Sequence, residues 1–188
     1  MTKNNFSAVI DLGYSNFRFS IFDSNYMNLY SCTKPVSEDE HEKNLSNTIN
    51  FLIRDAEKKI SNHINNIIVM YEDNDFHTID ISFKKNFDQK VNAKKNISSL
   101  LLEADQFVKN SYINKKIIHT NITRYNIDGI YQIKVTDKNL QAQSIILDIK
   151  FICLPFEKYK RITDVFKNNN IEVSNFFSSS YVKSFFYL

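Results

Sequence analysis

The sequence predicts an α/β protein in which a mixed sheet with a long helix is interrupted by a smaller lobe of strand, helix, strand and strand. Three observations carry this. Period-2 apolar patterns near the start are followed by one strong amphipathic stretch. The texture changes after Met70, and a strand–helix pattern like the first returns at Pro155. At 188 residues, the chain is long enough to bury a sizeable core.

Each element has a local reason. Ala8-Val9-Ile10 reads as a short buried strand, Asp11-Leu12-Gly13-Tyr14-Ser15 as a turn, and Phe17, Phe19 and Ile21 as the buried side of a second strand. A third short strand is expected over Leu29–Thr33. Ser37-Glu38-Asp39-Glu40 has the form of a capping box, and its acids suit the positive end of a helix. Leu45, Ile49, Leu52, Ile53, Ala56 and Ile60 form a helical stripe. Asn65-Asn66 ends it, and Ile67-Ile68-Val69-Met70 reads as a fully buried strand.

The middle is expected to hold a strand over Phe76–Phe83, a Lys- and Asn-rich loop, and a helix burying Ile97, Leu100, Leu101, Ala104, Phe107 and Val108. A strand from Ile117 then reaches a turn at Asp128-Gly129, and a last strand runs over Leu140–Cys153. After Pro155, Phe156, Tyr159, Ile162, Val165 and Phe166 mark a helix that Asn168-Asn169-Asn170 ends. Ile171-Glu172-Val173 is a short strand, and a final helix starts near Ser178. The expected division is 1–73 plus 154–188 for one body and 74–153 for the other.

Composition excludes several classes. Apolar residues are 43% and charged residues 24%, a globular balance. Only two glycines are present, too few for a glycine-rich phosphate loop. The net charge of +3 comes from scattered lysines, which read as a solvated surface rather than a DNA or RNA footprint. Cys32 and Cys153 fit no metal spacing and read as reduced thiols. His41, His63, His77 and His119 are scattered, so no metal site is expected; His119 reads as structural. Asp73 and Asp75 read as solvated loop acids. No apolar run is long enough to span a membrane and no leader precedes the first strand, so a cytoplasmic protein is expected. The aromatic end, Phe176-Phe177, Tyr181 and Phe185 to Leu188, reads as core packing rather than a membrane-surface helix.

Ala8-Val9-Ile10-Asp11-Leu12-Gly13-x-Ser15 with its following strand resembles the first phosphate loop of the actin/Hsp70 superfamily. The middle resembles the SHS2 insertion of the FtsA family, bacterial actin-like cell-division proteins. There Ile117-Ile118-His119 and Tyr125-Asn126-Ile127-Asp128-Gly129 match a strand and turn. Ile171-Glu172-Val173 and Ser178 to Tyr181 resemble the return to the actin-like part. The resemblance implies a partial actin-like, ribonuclease H-like subdomain carrying an SHS2 lobe. It also implies a divisome scaffold at the inner face of the membrane at the septum, touching the membrane only indirectly. In that family Asp11, Gly13 and Ser15 would meet ATP and Mg2+. Here Tyr14 and Asn16 stand where small and basic residues belong, and the chain stops where the second phosphate loop should begin. ATP with Mg2+ is then expected only if that other half is supplied, and no enzyme activity is expected.

The expected function is therefore assembly through protein contacts. Partners would be another copy or other division proteins, met by the helix around Ser98–Lys109 and by the strand-turn Thr123–Tyr131. Arg124, Tyr131 and Lys134 are its outward candidates. The alternatives are an ATP-binding actin/Hsp70-type protein completed by a second half, and a Lys-rich RNA-binding protein.

Overall fold

The computed structural model describes residues 6–37 and 44–185. It divides into two compact units, Met1–Asp75 with Glu157–Leu188, and Phe76–Phe156.

In the first unit, β1 (Phe6–Leu12), β2 (Asn16–Asp23) and β3 (Asn28–Pro35) form an antiparallel meander, and β4 (Asn66–Tyr71) and β9 (Glu172–Ser178) extend it in parallel. The sheet order is β3-β2-β1-β4-β9. Alternation sets the faces, because successive side chains of a strand point to opposite sides. Phe17, Phe19 and Ile21 are fully buried, as their spacing predicts. The helix α1 (Leu45–Ile60) packs on β3 and β2 with Leu45, Ile49, Leu52, Ile53 and Ala56 buried, while Ile60 is half-buried. Each fully buried leucine or isoleucine among them contributes about 1.5–3 kcal/mol.

Two expectations are corrected here. Val9 is only half-buried beside fully buried Ala8 and Ile10. In β4 only Ile67, Val69 and Tyr71 are buried, so that strand presents one core face, not two. The expected capping box reaches Glu38, Asp39 and Glu40, which lie outside the described residues, as does His41. The described helix starts at Leu45, after Asn44, with no side-chain cap bond.

The second unit is an antiparallel sheet in the order β5-β8-β6-β7, with β5 (His77–Asn92), β6 (Lys115–Ile127), β7 (Ile130–Gln132) and β8 (Gln141–Pro155). Helix α2 (Ala93–Ser111) places Ala93, Leu100, Ala104 and Val108 against Ile145, Leu147, Ile149 and Phe151 of the central strand β8. The Lys- and Asn-rich stretch expected as a loop is instead the second half of β5. Lys85 takes an inward slot opposite Ile145, and its ammonium meets Glu103 of α2 at 2.5 Å. Phe107, expected in the core, is 53% exposed. Asp128 and Gly129 have φ of 50° and 86°, the paired positive values of a two-residue hairpin turn. Asp128 Oδ1 accepts from the amides of Gln143 and Ser144, which ties that turn to β8.

Pro155 is the last residue of β8, and α3 (Phe156–Lys167) follows. It buries Ile162, Val165 and Phe166, whereas Phe156 is exposed. Asn170, at φ 58°, turns the chain into β9, and Ser178 caps the short α4 (Ser179–Ser184). In the aromatic end, Phe176 packs edge-on to Tyr71 with ring centres 6.2 Å apart. Phe185 is exposed, against the expectation of core packing, and Phe186 to Leu188 lie outside the described residues.

Candidate functional site

The strands β1, β4 and β9 run parallel and end level, with Leu12 beside Tyr71 and Tyr71 beside Ser178. The carboxyl ends of such strands are where open α/β sheets place ligands. Asp11, Gly13 and Ser15 lie at this end of the sheet. The Asp11 carboxylate and the Gly13 amide are committed within the chain. Asp11 Oδ2 accepts from Arg18 at 3.2 Å, directly across the hairpin, and Asp11 Oδ1 accepts from Ser179 Oγ at 2.9 Å. The Gly13 amide donates to the Asn16 carbonyl at 3.2 Å, and a Cβ at Gly13 would come within 3.1 Å of that oxygen. The Ser15 carbonyl accepts from the Val36 amide at 2.9 Å.

Beyond the loop stand Glu72, Asp73 and Asp75. The side chain of Asp73 is 10% exposed, which corrects the expectation of a solvated acid. Both of its oxygens accept from Lys158 Nζ, at 3.0 and 2.9 Å, and Tyr71 Oη donates to one of them. Burial pushes the Asp73 carboxyl up, but the bonds from Tyr71, the Asp75 amide and Lys158 outweigh it and hold the group below its ordinary value. Lys158 also pairs with Asp75 at 2.5 Å, and these acids hold its ammonium above the usual range despite its burial. Lys183 pairs with Glu72 at 3.2 Å. Burial and the neighbouring Asp73 and Glu72 push the Tyr14 hydroxyl up. Glu72, Asp73 and Asp75 are thus each already paired with a lysine. Among the described residues, no three His, Cys, Asp or Glu side chains are grouped to hold a metal ion.

The second unit carries the other candidates. Asp148 alternates with the buried residues of β8, so it lies on the sheet face opposite α2. Arg124 Nε donates to Asp148 Oδ2 at 2.7 Å, and Ser82 Oγ donates to Asp148 Oδ1 at 2.5 Å. The Ser82 bond and then Arg124 hold the Asp148 carboxyl below its ordinary value. The guanidinium lies 4.7 Å from the centre of the Tyr131 ring, a cation–π contact. A hollow of about 520 Å3 opens beside it, lined by Asp80, Ser82, Thr123, Arg124 and Asp148. Arg124 and Tyr131 are therefore brought together. Lys134 stands exposed in the segment between β7 and β8, with no ion pair among the described residues. His119 is half-buried on β6, and burial pushes its pKa below the ordinary value. Cys32 and Cys153 are free thiols.

Sequence reasoning missed Lys158, Ser179, Asp148 and Ser82. The outward position of Asp148 was readable from its place among alternating apolar residues. Lys158 offered no signal, being 85 residues from Asp73. No described helix is long and apolar enough to cross a membrane.

No protein-family model matches the chain, and no curated protein matches it in sequence. Solved structures do resemble it in fold. One is the PilM–PilN type IV pilus biogenesis complex, at a TM-score of 0.52 and 8% identity, covering 95% of this chain and 49% of that one. Another is a Bacteroides thetaiotaomicron protein of actin-like ATPase fold and unknown function, at 0.44 and 14%, covering 96% and 55%. A third is the cytoplasmic domain of EpsL from the type II secretion system of Vibrio cholerae, at 0.40 and 12%, covering 92% and 55%. The chain spans about half the length of these structures. At such identities the likeness speaks for fold alone: a mixed α/β chain whose fold follows part of the pilus biogenesis complex over 95% of its length.

Proposed function

We propose that this chain is a non-enzymatic assembly protein of actin-like fold that works through protein–protein contacts of its second unit. The observation that carries the reading is a contrast in polar groups. The groups a nucleotide would need at Asp11 and Gly13 are bonded inside the first unit, whereas Arg124 and Tyr131 stand at the surface of the second. Membership of a pilus biogenesis complex by a protein of similar fold supports an assembly role. The finer reading, an FtsA-like scaffold contacting another copy or other division proteins, rests on the motifs at Ile117–His119 and Tyr125–Gly129. In this reading neither ATP with Mg2+ nor catalysis has a part.

The test is chemical cross-linking and affinity capture with the full chain and with Arg124→Glu. Capture of a second copy or of a division protein, lost in the variant while its melting curve is unchanged, supports the reading. Saturable Mg-ATP binding that disappears in Asp11→Ala overturns it, as does RNA binding with a steep salt dependence.

A further inference from the structure

The outward face of α1 belongs to neither surface described above. Its buried side faces the sheet, and Asn47, Phe51, Arg54 and Lys58 recur along the opposite side at helical spacing. Phe51 is 53% exposed, a large apolar ring left uncovered in a ring of polar groups. Lys34 of β3 holds its ammonium 4.9 Å from the centre of that ring. The rims are fixed. On one side Tyr30 Oη donates to Asp55, and on the other Asn169 Nδ2 donates to Asn50 Oδ1 at 2.8 Å. Between these rims the α1 side chains line an open hollow of about 450 Å3. Arg54 and Lys58 form no ion pair among the described residues, unlike Arg18, Arg124, Lys158 and Lys183.

We propose that this face, Phe51 with Lys34, Arg54 and Lys58, docks an acidic, extended peptide segment of a partner protein. Residues four apart on a helix lie about 5–6 Å from each other, so the two cations present their charges roughly one turn apart. Alternate side chains on one side of an extended strand are separated by about 6.5–7 Å, close to that spacing. Two carboxylates of such a strand can therefore meet Arg54 and Lys58 together, and an apolar side chain beside them covers Phe51. Arginine adds a planar fork that suits a carboxylate. A peptide fits better than RNA, because Lys34 already occupies a face of the one aromatic ring on which a base would stack, and three cations cannot track a run of phosphates.

The probe is a fluorescent peptide of alternating glutamate and leucine, compared with its lysine–leucine counterpart and with oligo-uridine, by anisotropy on the full chain. The acidic peptide should bind, weaken with salt, and lose about tenfold or more in affinity in the Arg54→Glu, Lys58→Glu double variant. Arg124→Glu should leave this binding unchanged. The milder Arg54→Gln, Lys58→Gln pair decides the matter if the reversed variant does not fold. Equal binding of the basic peptide, binding that survives both double variants, or tighter binding of oligo-uridine at this face would each overturn the proposal.

Discussion

The strand ends of the first unit and the open sheet face of the second are both rich in charge, and they use it differently. At the strand ends, Asp11, Glu72, Asp73 and Asp75 are matched by Arg18, Lys183 and Lys158, and the central carboxylate is buried. On the sheet face, Arg124 and Asp148 pair with the arginine side chain 57% exposed. A buried pair that loses one partner leaves a charge without solvent, while an exposed pair that loses one partner gains water in exchange. Within the first arrangement, the Asp73–Lys158 pair thus serves the fold. The second costs little to break and is available to a partner.

The largest effect in this contrast should come from neither cluster but from the core that holds the second. Leu100 is fully buried against β8, so Leu100→Ala should cost roughly 2–5 kcal/mol by leaving a cavity. Urea unfolding checks it, and a loss well under 1 kcal/mol would mean that α2 packs loosely. The half-buried Leu101 should cost less.

Next comes Lys158→Met, which strands Asp73. Lys158 is partly exposed, so the loss should be about 1–3 kcal/mol rather than the larger figure for a fully buried pair. Its pH dependence has a definite sign. The Asp73 carboxyl is held below its ordinary value, so its stabilisation is full above about pH 4 and disappears as pH falls through the lowered pKa. Unfolding curves should therefore separate wild type from Asp73→Asn at neutral pH and converge as pH falls through the lowered pKa. A gap that widens in acid would break the assignment of Asp73 as the buried anchor.

The exposed pair should barely register. Arg124→Ala should change stability by less than about 1 kcal/mol, read from the same unfolding curves, while reducing partner capture. If stability falls as far as in Lys158→Met, the two regions do not differ as argued. Smallest of all is the expected response to nucleotide. Calorimetry with Mg-ATP should show no saturable heat at micromolar concentration, and Asp11→Ala should not change that.

Much of the fold was legible because its burial is periodic. Phe17, Phe19 and Ile21 set β2, the stripe from Leu45 to Ala56 set α1, and Asp128-Gly129 marked a turn only those positive φ angles permit. The second half of β5 was not legible, since Lys85 occupies an inward slot that pattern reading reserves for an apolar side chain, with Glu103 supplying the compensation from α2. The one-sided burial of β4 was hidden by four consecutive apolar residues. At the candidate sites, the residue types at Asp11, Gly13 and Arg124 could be singled out, but not their partners. Ser179 meets Asp11 across 168 residues, and Asp148 meets Arg124 through a register that only strand pairing defines.

The place of β9 bears on how the chain is made. Its pairing with β4 joins Ile67 to Val173, and the whole of Phe76–Phe156 lies between. The second unit is continuous in sequence, so on the ribosome it can gather all its strands while the first still lacks one. Domains generally fold as units and in the order of synthesis. Here that order is inverted: the later segment closes its core first, and the earlier sheet waits with the edge of β4 open until Glu172–Ser178 emerges. Long-range pairings of this kind slow folding and leave strand edges exposed to aggregation meanwhile. A chaperone that shields β4 during translation would therefore be expected to raise the yield of this protein more than one acting after release.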